Sequence, residues 1–343
     1  MIRRMLLCLA VLSLTLAGQV DASPSAANSA YSIDQLASSA GTFTIYAGLA
    51  KDGNSVYFGN FTDVRMYDLD TDTESVYANV PANANTGTLN KLGSDWYISL
   101  DLNYEPPYPS NLGTVNPADD PDFTVTMPSA TDANPGDPTY SIYDATVSGG
   151  NLYFVATLGE YDNDGNGVTH GSRIYRYDTN NPTGPVEIAN VGGFSGGLTF
   201  DNAGNLYYAM QDGSGVIMFT AAEVAAGGLT AADGDTVANV TAGGIDLLSD
   251  GSLVATVGGQ TLAAYDLLTT GDKLYDIATT TGAEYLGSIL VDEGAGPGGE
   301  DVIYVLSTDF VPYASTLEAI TIPEPASIAL LAIGGVAMLR RRR

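Results

Sequence analysis

Cysteine is almost missing from this sequence. The one copy, Cys8, lies in an apolar stretch from Met5 to Gly18 near the N-terminus. Beyond it the chain can form no disulfide, no thiolate metal site and no cysteine nucleophile. Histidine is equally scarce, with His170 the only one. A Ser-His-Asp triad would have to use that residue, and no Gly-x-Ser-x-Gly elbow is present. His170 stands in a glycine-rich insertion, where a solvated loop histidine is the simpler reading. Positive charge is the third shortage. Between residues 23 and 322 there are 38 acidic residues against six basic ones, a net charge of −32. Such a surface repels nucleic acid and anionic membrane, and it attracts cations or a neutral or cationic polymer. It also suits an extracellular protein in salty water, where screening relieves self-repulsion. The hydrophobic share is 45%, so the acidity belongs to a folded body and not to a disordered tail.

Both ends carry sorting information. Met1-Ile2-Arg3-Arg4 is a basic start, Met5 to Gly18 an apolar core, and Val20-Asp21-Ala22 a small-x-small cleavage site. Residues 1–22 read as a secretory signal peptide passed through the Sec translocon and cut after Ala22, leaving Ser23 as the new terminus. Cys8 lies too early for a lipoprotein box. At the other end, Pro323-Glu324-Pro325 precedes an uncharged stretch from Ala326 to Leu339 and then Arg340-Arg341-Arg342-Arg343. The prolines let a helix begin only after Pro325. As a helix, the apolar stretch would be roughly 21 Å long. Arginines that snorkel to the interface extend it toward a single transmembrane helix with its arginines on the cytoplasmic side. Residues 321–343 closely resemble the PEP-CTERM sorting signal of Gram-negative bacteria. The resemblance implies recognition by an exosortase, cutting near Pro323-Glu324-Pro325, and an inner-membrane intermediate that ends at the cell surface or in the extracellular matrix. Proteins of this kind accompany exopolysaccharide and biofilm systems.

Between the two signals the body is repetitive. Residues 23–40 form a leading segment, in which Ser32-Ile33-Asp34-Gln35 has capping-box spacing and predicts a short helix to about Ser39. From Gly41 on, short runs of Thr, Val, Ile, Tyr and Phe alternate with Gly, Asp, Asn and Pro, the pattern of strands and turns. A turn followed by a short strand recurs six times, centred on Tyr57, Tyr97, Tyr153, Tyr207, Val254 and Ile303, at spacings of 40, 56, 54, 47 and 49 residues. A second element follows as Met66-Tyr67-Asp68, Arg176-Tyr177-Asp178 and Ala264-Tyr265-Asp266, and Ala-Asn-Val closes copies at 78–80, 189–191 and 238–240.

Repeats of this length, each with about four strands, predict an all-β β-propeller over residues 41–320 with about six blades. A seventh would have to hide in residues 100–140. A β-sandwich is the rival, but it calls for no long repeat. The stretch Gly197 to Tyr207 resembles the hairpin of NHL and SMP-30/gluconolactonase propellers, a resemblance that bears on fold and barely on function. Asn103 to Pro138, rich in Pro, Asp and Asn, reads as long loops on one face.

One insertion could carry chemistry. Asp162-Asn163-Asp164-Gly165-Asn166-Gly167 resembles the front half of an EF-hand loop, which implies Asp162, Asp164 and Asn166 as calcium ligands. It departs from that pattern at His170 and at Arg173, where a bidentate Glu would stand. The plain alternative is a hydrophilic turn. Carboxylate pairs are too numerous to locate acid/base catalysis, and most of the 21 tyrosines fall on strands, where packing explains them. The expectation is a secreted, exosortase-processed surface or matrix protein with a binding or structural role, toward polysaccharide or calcium. The alternative is a propeller enzyme, a lactonase or glycan-active hydrolase or lyase. Carboxylates converging on an axial metal, with a pocket beside them, would favour the enzyme, and a plain axial channel the binding or structural role.

Overall fold

Strands rich in Tyr, Val and Ile on both faces need cover on both faces, and a short meander cannot supply it alone. Stacking equivalent meanders around an axis does. The computed structural model describes residues 23–323 apart from 40–45, 82–84, 102–108, 120–121, 128–137, 162–166, 179–183, 268–269, 282–283 and 311–312. The described residues form six antiparallel sheets. The first strands of successive sheets, Tyr46–Asp52, Asn85–Leu92, Pro138–Ser148, Leu198–Phe200, Ala242–Leu247 and Glu284–Asp292, touch in a closed ring, the last against the first. The protein is thus a six-blade β-propeller, and these are its inner strands.

The six repeat residues all fall on second strands. Tyr57, Tyr97, Tyr153, Tyr207, Val254 and Ile303 lie opposite Met66, Thr114, Arg176, Met218, Ala264 and Ile320 of the third strands. Tyr67, Tyr177 and Tyr265 are buried on third strands, and the Ala and Val of each Ala-Asn-Val element are buried where the chain leaves a blade. Each core cluster joins two neighbouring blades. The first and second share Tyr57, Val64, Leu89 and Trp96, with the Tyr57 and Trp96 rings 4.1 Å apart. The sixth and first share Leu306, Leu317, Val56 and Phe58, which closes the ring hydrophobically.

Two expectations are corrected. Ser32–Ser38 is a strand and not a helix. It is the outer strand of the sixth blade, antiparallel to Tyr313–Ile322, with Ser32 opposite Thr321 and Ile33 opposite Ile320. Pairing across the whole sequence overrides a local capping pattern, and it fastens the two ends of the chain together. Ser25–Ala26 likewise adds to the edge of the fifth blade. The region 103–138 is not simply loops: Ser110–Val115 and Phe123–Met127 are the outer strands of the second blade, so it holds no seventh blade. Among the described residues no helix is long and apolar enough to cross a membrane, and the expected tail helix lies outside them.

Candidate functional site

The inner strands are irregular where they face the axis. Register shifts interrupt their pairing between Ala47 and Leu49, Thr86 and Leu89, Ile142 and Asp144, Ala242 and Ile245, and Leu286 and Ile289. A bulge leaves backbone groups outside the ladder and bends the strand. Small residues allow the strands to converge there: a Cβ on Gly48, which has φ +65°, would lie 2.4 Å from the Gly87 carbonyl oxygen. The bulges surround an axial pocket of about 490 Å³, lined by all six blades at the end where the inner strands begin. That size is within the usual range for small-molecule sites.

Aromatic groups shape the pocket. The third blade has Tyr143 at its bulge, and the sixth contributes Tyr285. Both side chains are solvent-accessible, at 45% and 43%. Their hydroxyls converge over Gly243 of the fifth blade, where a Cβ would lie 3.3 Å from one and 3.8 Å from the other. The Tyr285 ring rests on Gly259, whose Cβ would collide with it. Desolvation of the hydroxyl within the pocket, and then the neighbouring Tyr285 phenol, raise the Tyr143 phenol above its ordinary range, so it is a neutral donor at physiological pH. Phe61 lines the same pocket with φ +26°, a strained backbone of the kind found at ligand sites.

Two aspartates reach the pocket wall with their oxygens already engaged. Asp144 accepts from the Ala145 amide at 2.9 Å and, across the blade boundary, from the Leu198 amide at 2.8 Å. Asp246 accepts from the Leu247 amide at 2.9 Å, the Thr199 hydroxyl at 2.9 Å and the Val291 amide of the sixth blade at 2.7 Å. Desolvation pushes the Asp144 carboxyl up to about 7, opposed by its two amide donors. Asp246 is raised for the same reason. Both are struts between inner strands. Asp101, also raised by burial, takes a 2.7 Å bond from Ser110, which itself accepts from the Ile142 amide.

The expected site residues are elsewhere. Asp162, Asp164 and Asn166 lie outside the described residues, between the strands Asn151–Tyr161 and Gly167–Tyr177. His170 is exposed on the second of these, its Nε2 3.2 Å from Glu160 Oε1. Arg173 donates to the carbonyls of His170 and Ser172. Among the described residues no three of His, Cys, Asp and Glu gather to hold a metal. Ala22 and residues 324–343 are outside the described residues. Ser23 and Pro323 are within them, and Pro323 directly follows the last strand. Tyr143, Tyr285, Asp144 and Asp246 were not singled out by the sequence. The available signal was small residues some ten positions before the repeat tyrosine, as at Gly48 and Gly87.

Comparison with known proteins divides the chain in two. Residues 321–343 match the PEP-CTERM protein-sorting motif, which implies export, a membrane-anchored intermediate and exosortase processing to the cell surface. No curated protein matches the sequence. The body is similar in fold to a gluconolactonase from Xanthomonas campestris, at 14% identity and TM-score 0.58, covering 88% of this chain and 94% of that one. It is also similar to the PQQ-bound aldose sugar dehydrogenase of Streptomyces coelicolor, at 12% identity and TM-score 0.52, covering 87% and 100%. A third likeness is to a virginiamycin B lyase from Staphylococcus aureus solved with quinupristin, at 14% identity and TM-score 0.53, covering 85% and 100%. At these identities the likeness is one of fold: a six-blade β-propeller, here followed by a C-terminal sorting motif.

Proposed function

We propose that this is a surface or matrix propeller that holds a neutral or amino-sugar unit of an extracellular polysaccharide in its axial pocket. The observation that carries this reading is the convergence of the Tyr143 and Tyr285 hydroxyls over Gly243, within a pocket of about 490 Å³. Phenol rings offer apolar faces to sugar C–H groups, and their hydroxyls, with the bulged backbone, offer donors and acceptors to sugar hydroxyls. The net charge of −32 over residues 23–322 disfavours an anionic polymer and favours a neutral or cationic one. The sorting motif supports delivery to where such polymers are found. Calorimetric titration of the full chain with oligosaccharides cut from its own matrix polymer tests the reading. Binding lost in Tyr143→Ala, with the sugars recovered unchanged, is the expected result. Equal binding by wild type and variant overturns it.

One observation favours the enzymatic alternative. A carboxyl held near pH 7 at a pocket wall, as Asp144 is, suits general acid–base work, and fold neighbours include a lactonase and a sugar dehydrogenase. Against it, both Asp144 oxygens are committed to backbone amides. Sugar-lactone hydrolysis assays with and without added divalent metals separate the two. Turnover abolished by Asp144→Asn would establish the enzyme.

A further inference from the structure

The last blade buries an acid with an open valence. Glu318, on the strand Tyr313–Ile322, has no exposed surface. One of its oxygens accepts from the Thr316 hydroxyl, and the other, Oε2, has no partner. Glu284, two strands away on Glu284–Asp292 but close enough to act on the Glu318 carboxyl, is 7% exposed and also carries an unpartnered oxygen, Oε1. None of the ion pairs among the described residues includes either glutamate. A buried carboxyl with an orphaned oxygen, with a second in the same blade, is an arrangement that a cation completes.

The start of the exported chain lies against this place. The Ser23 hydroxyl donates to Gln35 Oε1 at 2.9 Å, and Gln35 sits directly opposite Glu318 across the strand pair. The Ser23 and Ser307 side chains also lie near the Glu318 carboxyl and favour its charged form against the effect of burial. The backbone nitrogen of Ser23 is three bonds from its own hydroxyl, so by covalent geometry the two are no more than roughly 4 Å apart. Pro24 follows, buried, and restricts Ser23 to extended conformations. In the uncut chain this nitrogen is a neutral amide. Cleavage after Ala22, expected from the sequence, turns it into an ammonium group.

We propose that Glu318 is the receptor for the α-ammonium of Ser23, so that removal of the leader makes a buried ion pair that locks the first residues onto the closing blade. Before cleavage, burial and the nearby Glu284 push the Glu318 carboxyl up to about 8, and it keeps its proton at neutral pH. After cleavage the ammonium supplies the missing partner and the proton leaves. Signal-peptide removal then strengthens the same strand pair, Ser32–Ser38 with Tyr313–Ile322, that joins the two ends of the chain.

The test uses the exported full-length chain with its tail, compared with Glu318→Gln and with a variant carrying one glycine inserted between Ala22 and Ser23. The α-amine is labelled with an acylating reagent near pH 7.5, and thermal melting is followed in parallel. A wild-type chain beginning at Ser23 should label at least tenfold more slowly than either variant and melt several degrees higher. Combining the two changes should cost no more than one alone, since both remove the same pair. Equal labelling of wild type and Glu318→Gln overturns the proposal, as does a mature terminus at any other residue. Free labelling of the amine together with stabilisation of wild type alone by calcium or potassium also overturns it, and makes Glu284 and Glu318 a metal site instead.

Discussion

Asp144 and Asp246, half-buried at the axis, and Glu284 and Glu318, buried at the seam of the last blade, are all acids set into the fold, yet the fold treats them differently. Each oxygen of the axial pair accepts from a backbone amide, in each case including one on the next blade. The seam pair leaves one oxygen on each residue without a donor. Satisfied acids act as struts, because removing them orphans the amides they hold. Unsatisfied acids contribute little until a cation arrives, because their desolvation is not repaid. The difference gives part of the acidic surplus a structural use without a ligand. Asp301 follows the strut pattern, accepting from the Ser249 amide and hydroxyl. So does Asp122, which takes the Asn79 amide of the neighbouring blade.

The contrast can be broken most sharply by removing a strut. Asp246→Ala orphans two amides and the Thr199 hydroxyl, and should cost about 3 kcal/mol in urea unfolding. Glu284→Gln should leave stability unchanged or raise it, since it removes a charge without a partner. Equal losses would erase the distinction.

The pH dependence of stability comes next. The folded Asp144 carboxyl titrates at about 7, above its unfolded value. Its contribution is therefore complete below about pH 4, the ordinary range for Asp, and is lost as pH rises through 7. Relative to Asp144→Asn, wild type should lose on the order of 2 kcal/mol between pH 4 and pH 8, after allowance for solvent reaching the pocket. Unfolding curves at the two pH values measure this difference, and parallel profiles would place the carboxyl outside the protected wall.

A change in the pocket that spares the struts should affect binding alone. Gly243→Ala places a methyl group 3.3 Å from the Tyr143 hydroxyl at a residue without positive φ. Oligosaccharide affinity should fall about tenfold, or roughly 1.4 kcal/mol, with melting little changed. The smallest effect belongs to the 162–167 insertion. Millimolar calcium near its dissociation constant would add about 0.4 kcal/mol, and Asp164→Asn should reduce the shift in melting temperature. An identical shift in both chains would leave the insertion a solvated turn.

The blades were legible because the repeat rests on local chemistry. A Gly/Asp/Asn turn followed by a tyrosine-rich strand marks the same register in Tyr57, Tyr153 and Tyr207 whatever lies between them. Ser32–Ser38 was misread because its partner, Tyr313–Ile322, is almost the whole chain away, and Ser-Ile-Asp-Gln satisfies a capping pattern equally well. The strands Ser110–Val115 and Phe123–Met127 were hidden by the Pro- and Asp-rich residues around them. The pocket left only a faint mark, the small residues before the repeat tyrosines, and none of its polar groups was legible. Asp144 and Asp246 are two among 38 acids of the body, and only the closing of six inner strands around an axis distinguishes them from surface aspartates. Tyr143 was one of 21 tyrosines, and its difference from a packing residue is a bulge that no local pattern announces.

The axial pocket as a sugar-holding site is tested most directly by NMR of the full chain with labelled tyrosine rings, titrated with fragments of its matrix polymer. The account predicts that the Tyr143 and Tyr285 ring signals shift together and saturate, while the carbohydrate signals broaden without new species. Ring signals that stay still while others move, or carbohydrate signals converting to product, would contradict it.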